Sequence, residues 1–196
     1  MSGSGHPTDA RGRVLPDGSW PPGRTADGEL ERLRRFVNTT NLESGADHLA
    51  DGAELAAWLG REGHPPFAPC TATDAAHLRR VREALRDLIV GAGAEPFAAL
   101  VAGVGLRVRV TDHGTALDGR DGGVDGFVGW VAAVVHDAHG AGTWPRLKVC
   151  ANRHCRWVTY DRSKNASSAW CSPAACGARA KARAYRARRK EVGRAP

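Results

Sequence analysis

Leu30, Leu33, Phe36 and Val37 recur at the three- and four-residue spacing of a helix face, and the segment then runs into Asn38-Thr39-Thr40-Asn41. A second helix is predicted from Gly52 to Leu59, burying Leu55, Trp58 and Leu59. The longest amphipathic pattern places Leu78, Val81, Leu85 and Leu88 on one face, with Thr73 as its cap and Gly91 as its stop. Pro96 to Val101 reads as a short helix. Leu106-Arg-Val-Arg-Val110 alternates as a half-buried strand should. Asp125 is positioned to cap a last helix carrying Phe127, Trp130, Val131, Val134 and Val135. Residues 1–27 are rich in Gly, Pro, Ser and Asp and are expected to be a disordered tail. The pattern thus predicts a mainly helical α+β domain over 28–143. No stretch approaches the roughly 20 apolar residues that span a bilayer, so no membrane partner is expected.

The pattern changes after residue 143. Arg156-Trp-Val-Thr-Tyr160 is β-branched and aromatic, Asp161 to Asn165 is turn-forming, and Ser168-Ala-Trp170 can return as the second strand of a hairpin. Ser172-Pro173 then opens a helix, serine at the cap and proline in the first turn. On it Arg179, Arg183, Arg186 and Lys190 form one stripe, while Ala178, Ala182 and Tyr185 form a neighbouring stripe able to pack on Trp157 or Trp170. The whole chain is therefore expected to be α+β, the helical domain being followed over 144–196 by a small β-hairpin plus helix module.

Four cysteines lie in that module, Cys150, Cys155, Cys171 and Cys176, as two Cys-x4-Cys pairs separated by fifteen residues. Two thiolate pairs at this separation suit one structural Zn²⁺ per chain, held tetrahedrally with a hairpin between the knuckles. Four cysteines also suit iron, and thiols without metal are the bland alternative. Disulfides need an oxidising compartment, and Met1-Ser-Gly-Ser-Gly-His-Pro7 lacks the apolar core of a secretory signal. Of the remaining candidates, Cys70 stands ahead of a helix start where a thiolate could be favoured, and His136, His139 and His154 are expected at the surface or behind the metal ligands.

Charge is divided unevenly. Residues 1–143 hold fourteen arginines and nineteen acids, whereas 144–196 hold fourteen Lys or Arg and two acids. A basic stripe anchored on a metal is the electrostatic footprint of nucleic-acid binding. The expected contacts are Arg156, Arg179, Lys181, Arg183, Arg186, Arg188, Arg189 and Lys190, since guanidinium groups grip phosphates and can read guanine edges in a major groove.

Cys150-Ala-Asn-Arg-His-Cys155-Arg-Trp157, the Asp161-Arg-Ser-Lys-Asn165 turn and Cys171-Ser-Pro-Ala-Ala-Cys176-Gly-Ala-Arg179 together resemble the CGNR-type zinc finger. The departure is Ala178, where the family has Asn. Arg35-Phe36-Val37-Asn38-Thr39 and Ala56-Ala57-Trp58-Leu59, placed ahead of the finger, resemble the ABATE domain of stress-response transcription regulators of bacteria. That resemblance implies a sensing or regulatory domain tethered to a DNA-binding module, a bacterial cytoplasmic, nucleoid-associated location, and an unknown small-molecule effector. Asn38 and Thr39 are the positions expected to line its pocket.

No Ser/His/Asp set or carboxylate pair stands out, so no enzyme is expected. The leading reading is a zinc-dependent regulator that docks a basic helix on double-stranded DNA, with the N-terminal domain modulating it by ligand, partner or formation of a homodimer. An RNA-binding or ribosome-associated zinc protein, stacking bases on Trp157, Tyr160 and Trp170, is the second. A small-molecule-binding enzyme with a basic tail is the third.

Overall fold

Helix α1 (Gly28–Val37) sends Leu33, Phe36 and Val37 into the core, with Glu29 and Glu31 at its positive end and Arg34 and Arg35 at its negative end. In this computed structural model, residues 24–192 are described apart from positions 43, 65, 66, 68 and 113, and the tail expectation for 1–23 lies outside them. A two-residue ribbon, β1 (Thr40–Asn41) with β2 (Ala46–Asp47), follows. Helix α2 (Gly52–Arg61) is capped by Asp51, whose carboxylate accepts from the amides of Ala53 and Glu54, and it buries Leu55, Trp58 and Leu59.

The central helix α3 (Ala72–Val90) starts two residues before the predicted cap. Thr71, not Thr73, holds that position, because Asp74 stands three residues on and closes a reciprocal capping box with it. Gly91 ends the helix in the left-handed conformation, as predicted. A short α4 (Glu95–Val101) leads into a ribbon of β3 (Leu106–Thr111) and β4 (Gly114–Gly119), paired Leu106↔Gly119 to Thr111↔Gly114. The strand expected to be half-buried is exposed throughout, with Val110 80% accessible. The reason is that β4, which the pattern did not show, takes the inner position.

Strand β4 meets α5 (Gly123–Gly140) through glycine alone. A Cβ on Gly119 would come within 2.6 Å of the carbonyl oxygen of Gly126, and one on Gly129 within 2.7 Å of the Cα of Gly119. Any side chain there would force ribbon and helix apart. Asp125, the predicted cap of α5, lies in its first turn instead; Gly122 is the cap and Asp125 favours the helix through its charge. Inside, Phe36, Trp58, His64, Phe127 and Trp130 form one aromatic cluster, including Phe36 edge-on to Phe127 at 5.0 Å.

Three arginines that read as surface charge are interior. Arg34 is fully buried and gives two bonds to Glu31, at 2.7 and 2.6 Å, and a third to the carbonyl of Val158. Arg82 pairs with both oxygens of Asp47 and donates to Thr39 Oγ1, and Arg86 joins Glu83 to the carbonyl of Val37. Each guanidinium faces at least one carboxylate and a further acceptor, which is what lets it stay charged away from water, although the Nε of Arg86 is buried with no bonding partner among the described residues.

After a 3₁₀ turn at Trp144–Arg146, β5 (Leu147–Val149) pairs antiparallel with β6 (Val158–Tyr160). This corrects the predicted hairpin, because the partner of β6 lies before the first knuckle rather than at Ser168–Trp170; the later segment contributes Ala169 O to the amide of Ala151 instead. One turn of π-helix, Pro173–Gly177, capped by Ser172, opens α6 (Ala178–Val192).

Candidate metal centre and nucleic-acid interface

The β5–β6 hairpin brings the first knuckle, at the end of β5, beside the π turn that carries the second. All five cysteines are unbridged. The sulfurs of Cys150, Cys155, Cys171 and Cys176 lie within 4.8 Å of one another, with Cys155 to Cys171 and Cys171 to Cys176 both at 3.6 Å. A tetrahedron with Zn–S bonds of about 2.3 Å has edges of about 3.8 Å, so the four donors fit the ion as they stand. Bonds from the Cys155 and Cys171 thiols pull Cys150 down to about 2, while their proximity to Cys150 pushes Cys155 and Cys171 up. Four thiolates this close need a divalent cation among them.

Sequence reasoning named the ligands but not what orients them. Asn152 is buried, donates from Nδ2 toward Cys176 Sγ at 3.6 Å, and accepts from the His154 amide on its own Oδ1. Its backbone carbonyl receives the amides of Cys155 and Arg156, so one residue shapes the knuckle and supports a thiolate. Asp161 does the same for the turn beyond β6, accepting from Ser163 N at 3.0 Å and Ser168 N at 2.7 Å. Burial would raise its pKa, but these bonds win and hold it at about 2. Both residues belong to the quoted motifs, which was the available signal. Gly177 completes the centre, since a Cβ there would sit 3.3 Å from the ring of Trp170.

The expected stripes on α6 are corrected in part. Residues 181–189 are exposed all round, including Tyr185, which lies under the guanidinium of Arg189 rather than on Trp157 or Trp170. Arg179, Lys181, Arg183, Arg186, Arg188 and Arg189 are all at the surface, and for Lys190 only the backbone is described. Ala178, in the family's Asn position, is exposed too.

Arg156 departs from the expectation. It adopts φ 51°, turns away from α6, and pairs with Asp87 at 3.0 Å and Glu83 at 3.8 Å on α3. It holds the finger to the body. Asn38 and Thr39 are likewise engaged within the fold: both are buried, Asn38 bonding the backbone of Val158 and Thr39 bonding Phe36 O and Arg82. Their polar groups are consumed by the fold. Cys70 is no activated thiol, since burial and Asp74 raise its pKa and its sulfur donates to Phe67 O. His139 stacks on Trp144, and among the described residues only the four cysteines form a metal-holding group.

Residues 24–27 run along the finger: Arg24 O accepts from Tyr160 N, Arg24 donates to Trp170 O, and Asp27 pairs with Arg162. The finger is thereby fastened to the body from three directions.

Comparison with known families bears on the same regions. Residues 146–189 match the CGNR zinc finger. Residues 31–158 match ABATE, "Putative stress-induced transcription regulator", a span that includes the hairpin carrying the first knuckle. No curated protein matches the chain.

Proposed function

The chain belongs to the ABATE family and carries a CGNR zinc finger, and from that premise we propose that it is a DNA-binding transcription regulator whose zinc centre fixes α6 for docking on duplex DNA. The observation that carries the reading is α6 itself. It leaves the zinc centre directly after Cys176, presents six described basic side chains, and has no acid between Ala178 and Lys190. A helix with this charge, exposed over residues 181–189, fits a groove between two phosphate backbones. The acidic excess of residues 1–143 disfavours phosphate contact from the body, which leaves the finger as anchor and the N-terminal domain as modulator.

The RNA reading relied on aromatic side chains free to stack on bases. Trp157 and Tyr160 are buried, at 7% and 8% accessible, the first packed in the finger and the second in the core of the body, and the half-buried Trp170 packs against the cysteine cluster. Duplex binding is therefore favoured. Titration of the full, zinc-loaded chain with duplex DNA and with structured RNA over a series of salt concentrations tests it. The expected result is tighter duplex binding with a steep negative slope of log K against log salt; equal or tighter RNA binding would overturn the proposal.

A further inference from the structure

Between α1, α5 and the β3–β4 ribbon lies an open cleft of about 520 Å³, within the usual range for small-molecule sites. Its floor is apolar, built from Leu30, Leu117, Ala133, Val134 and Ala138, with the indole of Trp130 among them. Charged groups stand at its rim. Arg109 is held by Asp118 at 2.7 Å and Arg32 by Glu29 at 3.0 Å, so both guanidinium groups already face a carboxylate. Asp137 differs. Its contact is with the imidazole of His136 at 3.0 Å, and among the described residues no arginine or lysine is bonded to it.

We propose that this cleft binds a hydrophobic organic cation. The rim carries three acids against two arginines, leaving one carboxylate in excess over an apolar floor. The indole already attracts a cation, since the guanidinium of Arg32 lies 5.6 Å from the Trp130 ring. A neutral apolar molecule would leave Asp137 unmatched, and an anion would meet the excess negative charge of both rim and domain.

The cleft also has a route to the finger. Glu29, Leu30 and Arg32 on the first turns of α1 line it, while Arg34 and Asn38, farther along the same helix and its cap, bond the backbone of Val158 in β6. An occupant that displaces Arg32 from Trp130 moves the element that holds the finger. Binding to the cleft stands apart from the DNA reading; only the coupling through α1 rests on it.

The test is equilibrium dialysis of the full, zinc-loaded chain against tetraphenylphosphonium and its near-isosteric anion tetraphenylborate, in sodium buffer. Saturable binding of one phosphonium per chain is expected, weakened about three- to five-fold by Asp137→Asn and abolished by Ala116→Trp, which fills the cleft from the exposed ribbon. Tetraphenylborate should gather on the basic helix, unaffected by Ala116→Trp and unable to displace phosphonium. Absence of phosphonium binding, binding indifferent to Ala116→Trp, or displacement by the borate would each overturn the proposal. DNA titration without phosphonium checks the DNA reading separately. If DNA binds, saturating phosphonium is expected to change its affinity; an unchanged affinity would refute the coupling alone.

Discussion

Asn38 donates from Nδ2 to the carbonyl of Val158 and accepts on Oδ1 from its amide, both at 2.8 Å, across 120 residues of chain. One side chain thus bonds both outward-facing backbone groups of Val158 in β6 as a third strand would. Asn38→Ala leaves a buried N–H without its partner and removes one of two donors to the carbonyl, which should cost about 2–3 kcal/mol. Urea unfolding followed by tryptophan fluorescence measures this. A loss below about 0.5 kcal/mol would show that the pairing contributes little.

The zinc centre should contain one ion per chain in protein purified without added metal, read by elemental analysis, and Cys171→Ala should empty it. Asn152→Ala keeps all four ligands but removes the donor to Cys176, so zinc affinity should fall about ten- to a hundred-fold. Competition with a chromogenic chelator gives the number. Unchanged affinity would assign Asn152 to the turn alone.

Arg156 and Arg183 should separate cleanly. Arg183→Ala is expected to weaken duplex binding and, if it removes one phosphate contact, to reduce the salt slope by about 0.9. Arg156→Ala should leave that slope unchanged while loosening the finger from α3, because its partners are Asp87 and Glu83. A reduced slope for Arg156→Ala would return it to the DNA-contacting set.

His64 gives the body a pH dependence. Burial among aromatic rings and the charge of Arg32 lower its pKa to about 4, against the opposing pull of Glu29. Arg32 donates to Nδ1 at 3.1 Å, so the proton of the neutral ring is on Nε2, which has no bonding partner among the described residues. Between about pH 6.5 and pH 4 the unfolded chain takes up a proton that the folded one refuses, so stability falls as pH drops through this window. The wild type should lose about 2 kcal/mol from this group between pH 7.5 and pH 5. His64→Phe should have a shallower dependence in parallel urea titrations, and an equal slope would exclude His64 as its source.

The helices were legible because each carries a local signal: Leu33 and Phe36 at helical spacing, the Leu78 to Leu88 stripe, Gly91 at a left-handed stop. The metal ligands were legible for the same reason, since cysteine spacing is local. What escaped the sequence depended on distant partners. Gly114–Gly119, with glycine at both ends, has too little strand propensity to advertise β4, and its close approach to α5 is set by Gly119 facing Gly126 and Gly129. Arg34, Arg82 and Arg86 look like surface residues until the Val158 carbonyl, the Asp47 carboxylate and the Val37 carbonyl are brought to them. The cross-chain bonds of Asn38 to Val158 and of Arg156 to Asp87 were not legible, because nothing in their neighbourhoods reveals a partner in the other half of the chain.

The exposure of residues 181–189 all round means that the shape of this stretch of α6 rests on backbone propensity rather than on a hydrophobic seat. An isolated helix of 15 residues sits close to the balance between helix and coil in water. Ala178, Ala180, Ala182, Ala184 and Ala187 tilt that balance, alanine being the strongest helix former. Each arginine is then only as well aimed as the alanines between them keep the coil wound. If duplex binding draws on a preformed helix, exchanging one of these alanines for glycine subtracts about 1 kcal/mol of ordering, so residues that touch no phosphate set affinity alongside those that do.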